Sequence, residues 1–204
     1  MAKYELTSET RTFGAQTLYR IRALRDFNDV RAGDLGGWVA SPNNLSQRGD
    51  CWVYDNASMH GNASMSGNAR MSGDARMTGD ARMYGNARLF GNSSMSGSAS
   101  MFDSASMSGS ASMYDNAHMY GNAHMSGDAH MYGNVRMYDN VHMYGNARMY
   151  DNAIVSGNAL VERWHGAMTI GPIGSRDHYL TFYRTADGDG EIHAVVEHDR
   201  AGRA

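Results

Sequence analysis

Asn56-Ala57-Ser58-Met59-His60-Gly61-Asn62-Ala63-Ser64-Met65-Ser66-Gly67 sets the phase of most of this chain. Written in sixes from there, the sequence runs without a gap to Asn158-Ala159-Leu160-Val161. The principal apolar position falls at residue 53 and at every sixth residue up to 161, nineteen hexads in all. Methionine fills fifteen of these places, and Val53, Leu89, Val155 and Val161 fill the others. Two residues earlier stands a small residue, usually alanine, with Ser93, Val135 and Val141 as variants. Two residues later comes glycine or aspartate, followed by Asn, Asp or Ser.

A period of six has a direct physical reading. Alanine and methionine are two apart, so both side chains point to the same side of a short strand. The Gly-Asn or Asp-Asn pair that follows readily takes turn conformations, including positive φ. A strand and a corner every six residues make a flat-sided coil, and three sides close a triangle. Eighteen residues then form one rung, so the repeat predicts an all-β parallel β-helix of about six triangular rungs. At the usual spacing between strands it would be roughly 30 Å long. Other architectures fail on the pattern. A helix needs apolar residues at spacings of three and four, and collagen needs glycine at every third position. A disordered segment has no reason to hold an apolar residue at every sixth place over a hundred residues.

The flanks read as caps, because a stack of parallel rungs leaves an open edge at each end. The chain divides into residues 1–52, a cap and irregular first rung; 53–166, the repeat; and 167–204, a C-terminal cap. Thr17 to Phe27 alternates as a strand laid over the first rung, and residues 29–52 form an opening rung carrying Trp38 and Trp52. At the far end Trp164, Ile170 and Ile173 are placed to plug the core. Leu180-Thr-Phe-Tyr-Arg184 and Glu191-Ile-His-Ala-Val-Val196 read as a β-hairpin.

The repeat resembles that of the hexapeptide-repeat superfamily, although methionine replaces the usual inward aliphatic residue and glycine stands two places after it. Gly33-Asp-Leu-Gly-Gly-Trp-Val39, Asn44-Leu-Ser46 and Cys51-Trp-Val-Tyr-Asp-Asn-Ala57 are similar to the start of bacterial and prophage-encoded hexapeptide-repeat proteins of unassigned function. Ile170-Gly-Pro-Ile-Gly-Ser-Arg176 and Leu180–Arg184 resemble the segment that follows the repeats in the same group. The resemblance implies the left-handed form of the β-helix. It also implies a possible reaction, since many members are acyltransferases that use a histidine as base in a cleft between subunits of a trimer.

Composition narrows the function classes. Net charge is −3 with 19% charged residues, and residues 55–158 hold six arginines, no lysine and eight aspartates. Nucleic acid needs net positive charge, so it is not an expected partner. One cysteine excludes an intrachain disulfide and fits a reducing compartment. With no apolar run of about 18 residues, no membrane partner is expected, and the expected location is the cytoplasm or a phage particle.

Outward residues eighteen apart should stack in columns. Tyr84, Phe102, Tyr120 and Tyr138 form one such ladder with Arg82 and Arg136 beside it; Tyr114, Tyr132 and Tyr150 form a second. These are the candidate binding residues, suited to self-association or to a protein or glycan partner. His118, His124, His130 and His142 occupy the outward place between alanine and methionine, and they read as diverging, with no two in one column. Of these, His118, His124 and His130 are the catalytic candidates if the chain is an acyltransferase. In that case acyl-CoA is the donor; otherwise no cofactor is expected. The methionines read as core rather than as soft-metal ligands, so no metal site is expected. The main expectation is therefore a non-catalytic structural or interaction module, with an intersubunit acyltransferase as the alternative.

Overall fold

The computed structural model describes residues 2–150 and 152–161, and also 167–173, 178–184 and 192–197 as backbone strands. Three strands open the chain: β1 (Tyr4–Phe13), β2 (Gln16–Ala23) and β3 (Leu35–Val39). Nineteen two-residue strands follow, from β4 (Trp52–Val53) to β22 (Leu160–Val161), one for each hexad. Each of these pairs in parallel with strands one rung away: Met101 lies between Met83 and Met119. Amide donors connect the rungs, as where Tyr84 N–H donates to the Met101 carbonyl at 3.0 Å. The fold is a parallel β-helix.

Three sheets form its faces. The hairpin face continues from β1 and β2 through β3, β5, β8, β11, β14, β17 and β20. The ladder face contains β6, β9, β12, β15, β18 and β21. The histidine face contains β4, β7, β10, β13, β16, β19 and β22. About seven turns result, close to the expected six, because an opening rung precedes the regular repeat. Val39 pairs with Met59, Leu45 bridges to Met65, and Val53 pairs with Met71. Pro42–Asn44 forms a 3₁₀ turn in this rung, and the longer step from Leu45 to Val53 accommodates a loop through Gly49.

The inward places are closed to water. All fifteen repeat methionines are at most 1% exposed, and the alanines two residues before them lie buried between the rungs. The corners are tight: a Cβ on Gly85 would stand 2.9 Å from the carbonyl oxygen of Asp103 on the next rung. Asp55, Asp103, Asp115 and Asp139 take φ of 53–62° at such corners. Each carboxylate accepts the amide N–H of the glycine one rung further on, at 3.0–3.3 Å. This contact offsets the cost of a left-handed residue and gives the aspartates a structural reason. The next column forms the expected amide ladder, as in Asn116 to Asn134 to Asn152 and Asn122 to Asn140 to Asn158, at 2.9–3.1 Å.

At the N-terminal end β2 lies antiparallel to β3, which extends the hairpin face and covers its edge. Leu18, Ile21, Phe27 and Trp52 are buried there. The Trp52 ring meets Tyr4 and Phe27 edge-on at 6.2 and 5.4 Å. Lys3 is also buried and donates to the Cys51 carbonyl at 2.8 Å. At the other end β23 (Ala167–Ile173), β24 (His178–Arg184) and β25 (Ile192–Glu197) make an antiparallel sheet. The expected hairpin is its β24–β25 pair. Trp164 and the side chains of Ile170 and Ile173, expected as a plug, lie outside the described residues.

Candidate functional site

The ladder face carries its aromatic column because phase-locked strands put every +18 neighbour directly alongside. Tyr84 and Phe102 stack at 5.4 Å, Phe102 and Tyr120 at 4.9 Å, and Tyr120 and Tyr138 at 5.1 Å, all with ring planes within 14° of parallel. Arg82, Ser100, His118 and Arg136 form the adjacent outward column. On the hairpin face Tyr114, Tyr132 and Tyr150 stack at 5.0 and 5.5 Å, beside His130 and Arg148. The rings are half-buried apart from the more exposed Tyr150, and Arg82, Arg136 and Arg148 are exposed. Such pairs are worth about 0.2–1 kcal/mol each, so the ladders support the rod itself as well as offering a surface.

The histidines divide into two kinds. His118 and His130 stand beside Tyr120 and Tyr132 at 5.8 and 5.7 Å. Their Nδ1 atoms are buried with no hydrogen-bond partner among the described residues. Burial, and then Arg136, pushes the His118 pKa below its usual value. Burial and Arg148 do the same to His130, against an opposing pull from Asp128.

The expectation that no two histidines share a column is wrong. His142 lies eighteen residues after His124, pairs with it across β16 and β19, and brings its ring to 5.8 Å. One rung before His124 in the same column stands Ser106, whose Oγ lies 2.7 Å from His124 Nδ1. His124 is half-buried, and burial followed by the His142 charge lowers its pKa. The neighbouring outward column reads Phe90, Ser108, Ser126, Tyr144. Two small side chains thus stand between two rings in the column beside Ser106 and His124. The structure thus brings Ser106, His124 and His142 together and leaves His118 and His130 on other faces. The sequence signal for the pair is its spacing of one eighteen-residue rung.

Among the described residues no group of three or more His, Cys, Asp or Glu is placed to hold a metal ion. Nor is any described helix long and apolar enough to cross a membrane.

No family model matches the chain. A stretch of 67 residues is 42% identical to the uncharacterized acetyltransferase YdcK of Escherichia coli strain K12. The match covers 29% of this chain and 21% of the relative, so the chain spans about a fifth of the protein it matches. This likeness and the β-solenoid fit a hexapeptide-repeat superfamily.

Proposed function

We propose that the coil is an acyltransferase-like scaffold that self-associates through its aromatic ladder face and uses His124 as general base. The observation that carries this reading is the 2.7 Å contact between Ser106 Oγ and His124 Nδ1. A histidine held at one nitrogen presents the other in a fixed direction. In the tautomer that donates Nδ1–H to Ser106 Oγ, Nε2 carries the lone pair, and the lowered pKa keeps the ring neutral at neutral pH. Nε2 would take the proton of an acceptor hydroxyl or amine as that group attacks the thioester carbonyl of an acyl-CoA. The C–S bond then breaks, the proton passes to the leaving thiolate, and free CoA and the acylated product result. The two residues lie on the outward side of a flat face and the repeat has no inserted loop, so a second copy is needed to wall the site. The acetyltransferase name of the relative supports the choice of donor. The likeness of the flanking segments to bacterial and prophage proteins supports a bacterial or phage setting, and a buried free Cys51 supports a reducing one.

The test is thiol release from acetyl-CoA with a panel of amine and hydroxyl acceptors, on the assembled protein. His124→Ala should abolish turnover and Ser106→Ala should lower it about tenfold or more, whereas His118→Ala and His130→Ala should change little. Absence of turnover in a folded, assembled sample would overturn the enzymatic reading.

One observation favours a second reading, a non-catalytic assembly module. The four-ring ladder from Tyr84 to Tyr138 is a continuous aromatic stripe flanked by arginine, the composition favoured at contact surfaces. Its occupant in this reading is a second copy of the chain. Sedimentation should show dissociation of a Tyr120→Ser, Tyr138→Ser double variant that retains its fold. Dissociation without any acyl transfer by the parent would leave this reading standing alone, and normal assembly would remove it.

A further inference from the structure

We infer that the angle between the N-terminal hairpin and the hairpin face is a binding site for a phosphate group. This proposal is independent of the acyl-transfer and assembly readings. A cavity of about 160 Å³ lies there, lined by the end of β1 and by residues of two successive rungs. Arg11 and Arg76 both line it, with Ser58 one rung before Arg76 in the column below the hairpin.

Neither guanidinium is held there by a carboxylate. Arg11 lies over the Trp38 ring at 4.6 Å and donates to the Asn56 carbonyl at 3.0 Å. Arg76 lies over the Phe13 ring at 5.3 Å. Among the described residues neither forms an ion pair, although Asp74 also lines the cavity. Aromatic platforms therefore draw two cations toward one space that holds a single carboxylate. His60 is close by, and its pKa is lowered by burial and then by both arginines. Arg11 is itself lowered by burial and by Arg76, opposed by Asp74.

The floor of the site gives a second, independent sign. Ser58 is 1% exposed and its hydroxyl has no partner among the described residues. Trp38, which neighbours Ser58 in its column but does not line the cavity, also has a buried Nε1 with no partner among the described residues. Buried polar groups in folded proteins are nearly always paired, and an unpaired one is costly. Two guanidinium groups and a hydroxyl line one small space, a donor set that suits a phosphate with its several acceptor oxygens. The space is small beside the roughly 300–1,000 Å³ of pockets for whole drug-sized ligands. The group bound is thus inorganic phosphate or the phosphorylated end of a larger molecule.

The experiment is a calorimetric and NMR titration of the full chain with inorganic phosphate. Acetate at matched ionic strength is the control, and the arginine Nε–H signals are followed. Saturable phosphate binding is expected, with acetate at least about tenfold weaker. Arg76→Gln and Ser58→Ala should each weaken phosphate by about tenfold, the scale of one charge-assisted contact. Ser58→Ala has a further signature: without phosphate it should melt as high as the parent or higher, since an orphaned hydroxyl is gone, yet gain less on phosphate addition. Should Arg76→Gln fail to fold, Ser58→Ala decides. Lack of saturable binding, equal response to acetate, or unchanged affinity in Ser58→Ala would each overturn the proposal.

Discussion

At the scale of single residues, the corners obey a rule that the repeat alone does not explain. In each corner column every aspartate of the described rungs is followed one rung on by a glycine, whose N–H its carboxylate accepts. Gly91 and Gly121 have nearly the same φ, 66 and 68°, so aspartate meets the same backbone cost at both. Their neighbours differ. Gly91 lies beside Gly73 and Gly109, whereas Gly121 lies between Asp103 and Asp139. At about 4.8 Å per rung, two like charges in water cost about 1 kcal/mol per pair. Gly121→Asp should therefore lower stability by about 1–2 kcal/mol more than Gly91→Asp, a gap that shrinks in high salt. Thermal melts of the two variants at low and high ionic strength check this. The histidines predict a pH effect of defined sign. His60, His118, His124 and His130 all titrate below their ordinary value in the folded chain. On acidification the unfolded chain takes up protons first, at about pH 6.5. Stability is thus full above that pH and is lost as pH falls through the lowered folded values. Melting temperature should drop below about pH 6.5, and less steeply after His118→Asn and His130→Asn, whose buried Nδ1 atoms have no partner among the described residues.

At the scale of the strand, two residues have no stability of their own, and each strand rests on its neighbours above and below. Met107→Asp would bury a carboxylate with no partner between Leu89 and Met125 and should cost about 3 kcal/mol or more. Arg88→Ala on the neighbouring strand β10, at an exposed place, should stay within about 0.5 kcal/mol. Circular dichroism melts of the pair test the register directly. The strands were legible because inward and corner chemistry repeat in one phase, and the ladders followed from the same arithmetic. What escaped lies where the phase breaks or where distant residues meet. β1 was missed because Glu5 to Thr12 reads as polar, and its register against β2 shifts between Leu6 and Thr10. The opening rung was legible as residues 29–52, but its strand positions were obscured by the Pro42 turn and the longer step before Val53. The Ser106–His124–His142 column was present in the spacing but was not found there. The cavity between Arg11 and Arg76 joins residues far apart in the chain, which only the folded hairpin brings together.

At the scale of the whole molecule, the rod depends on what closes it. Deleting residues 2–23 would remove β1 and β2, expose the edge of β3 and uncover Trp52. An unprotected edge of this kind recruits further chains. The truncated protein should aggregate at concentrations where the parent stays dispersed, as light scattering would show. The uninterrupted eighteen-residue recurrence has a different consequence. Removing residues 96–113 would join Met95 to Tyr114 with no change of phase, so every column would close up on an equivalent neighbour. The ends would approach by about 4.8 Å, and inserting eighteen residues would separate them by as much. The distance between the two ends therefore changes only in whole steps, which makes the coil a molecular ruler whose graduations can be added or removed in evolution one at a time.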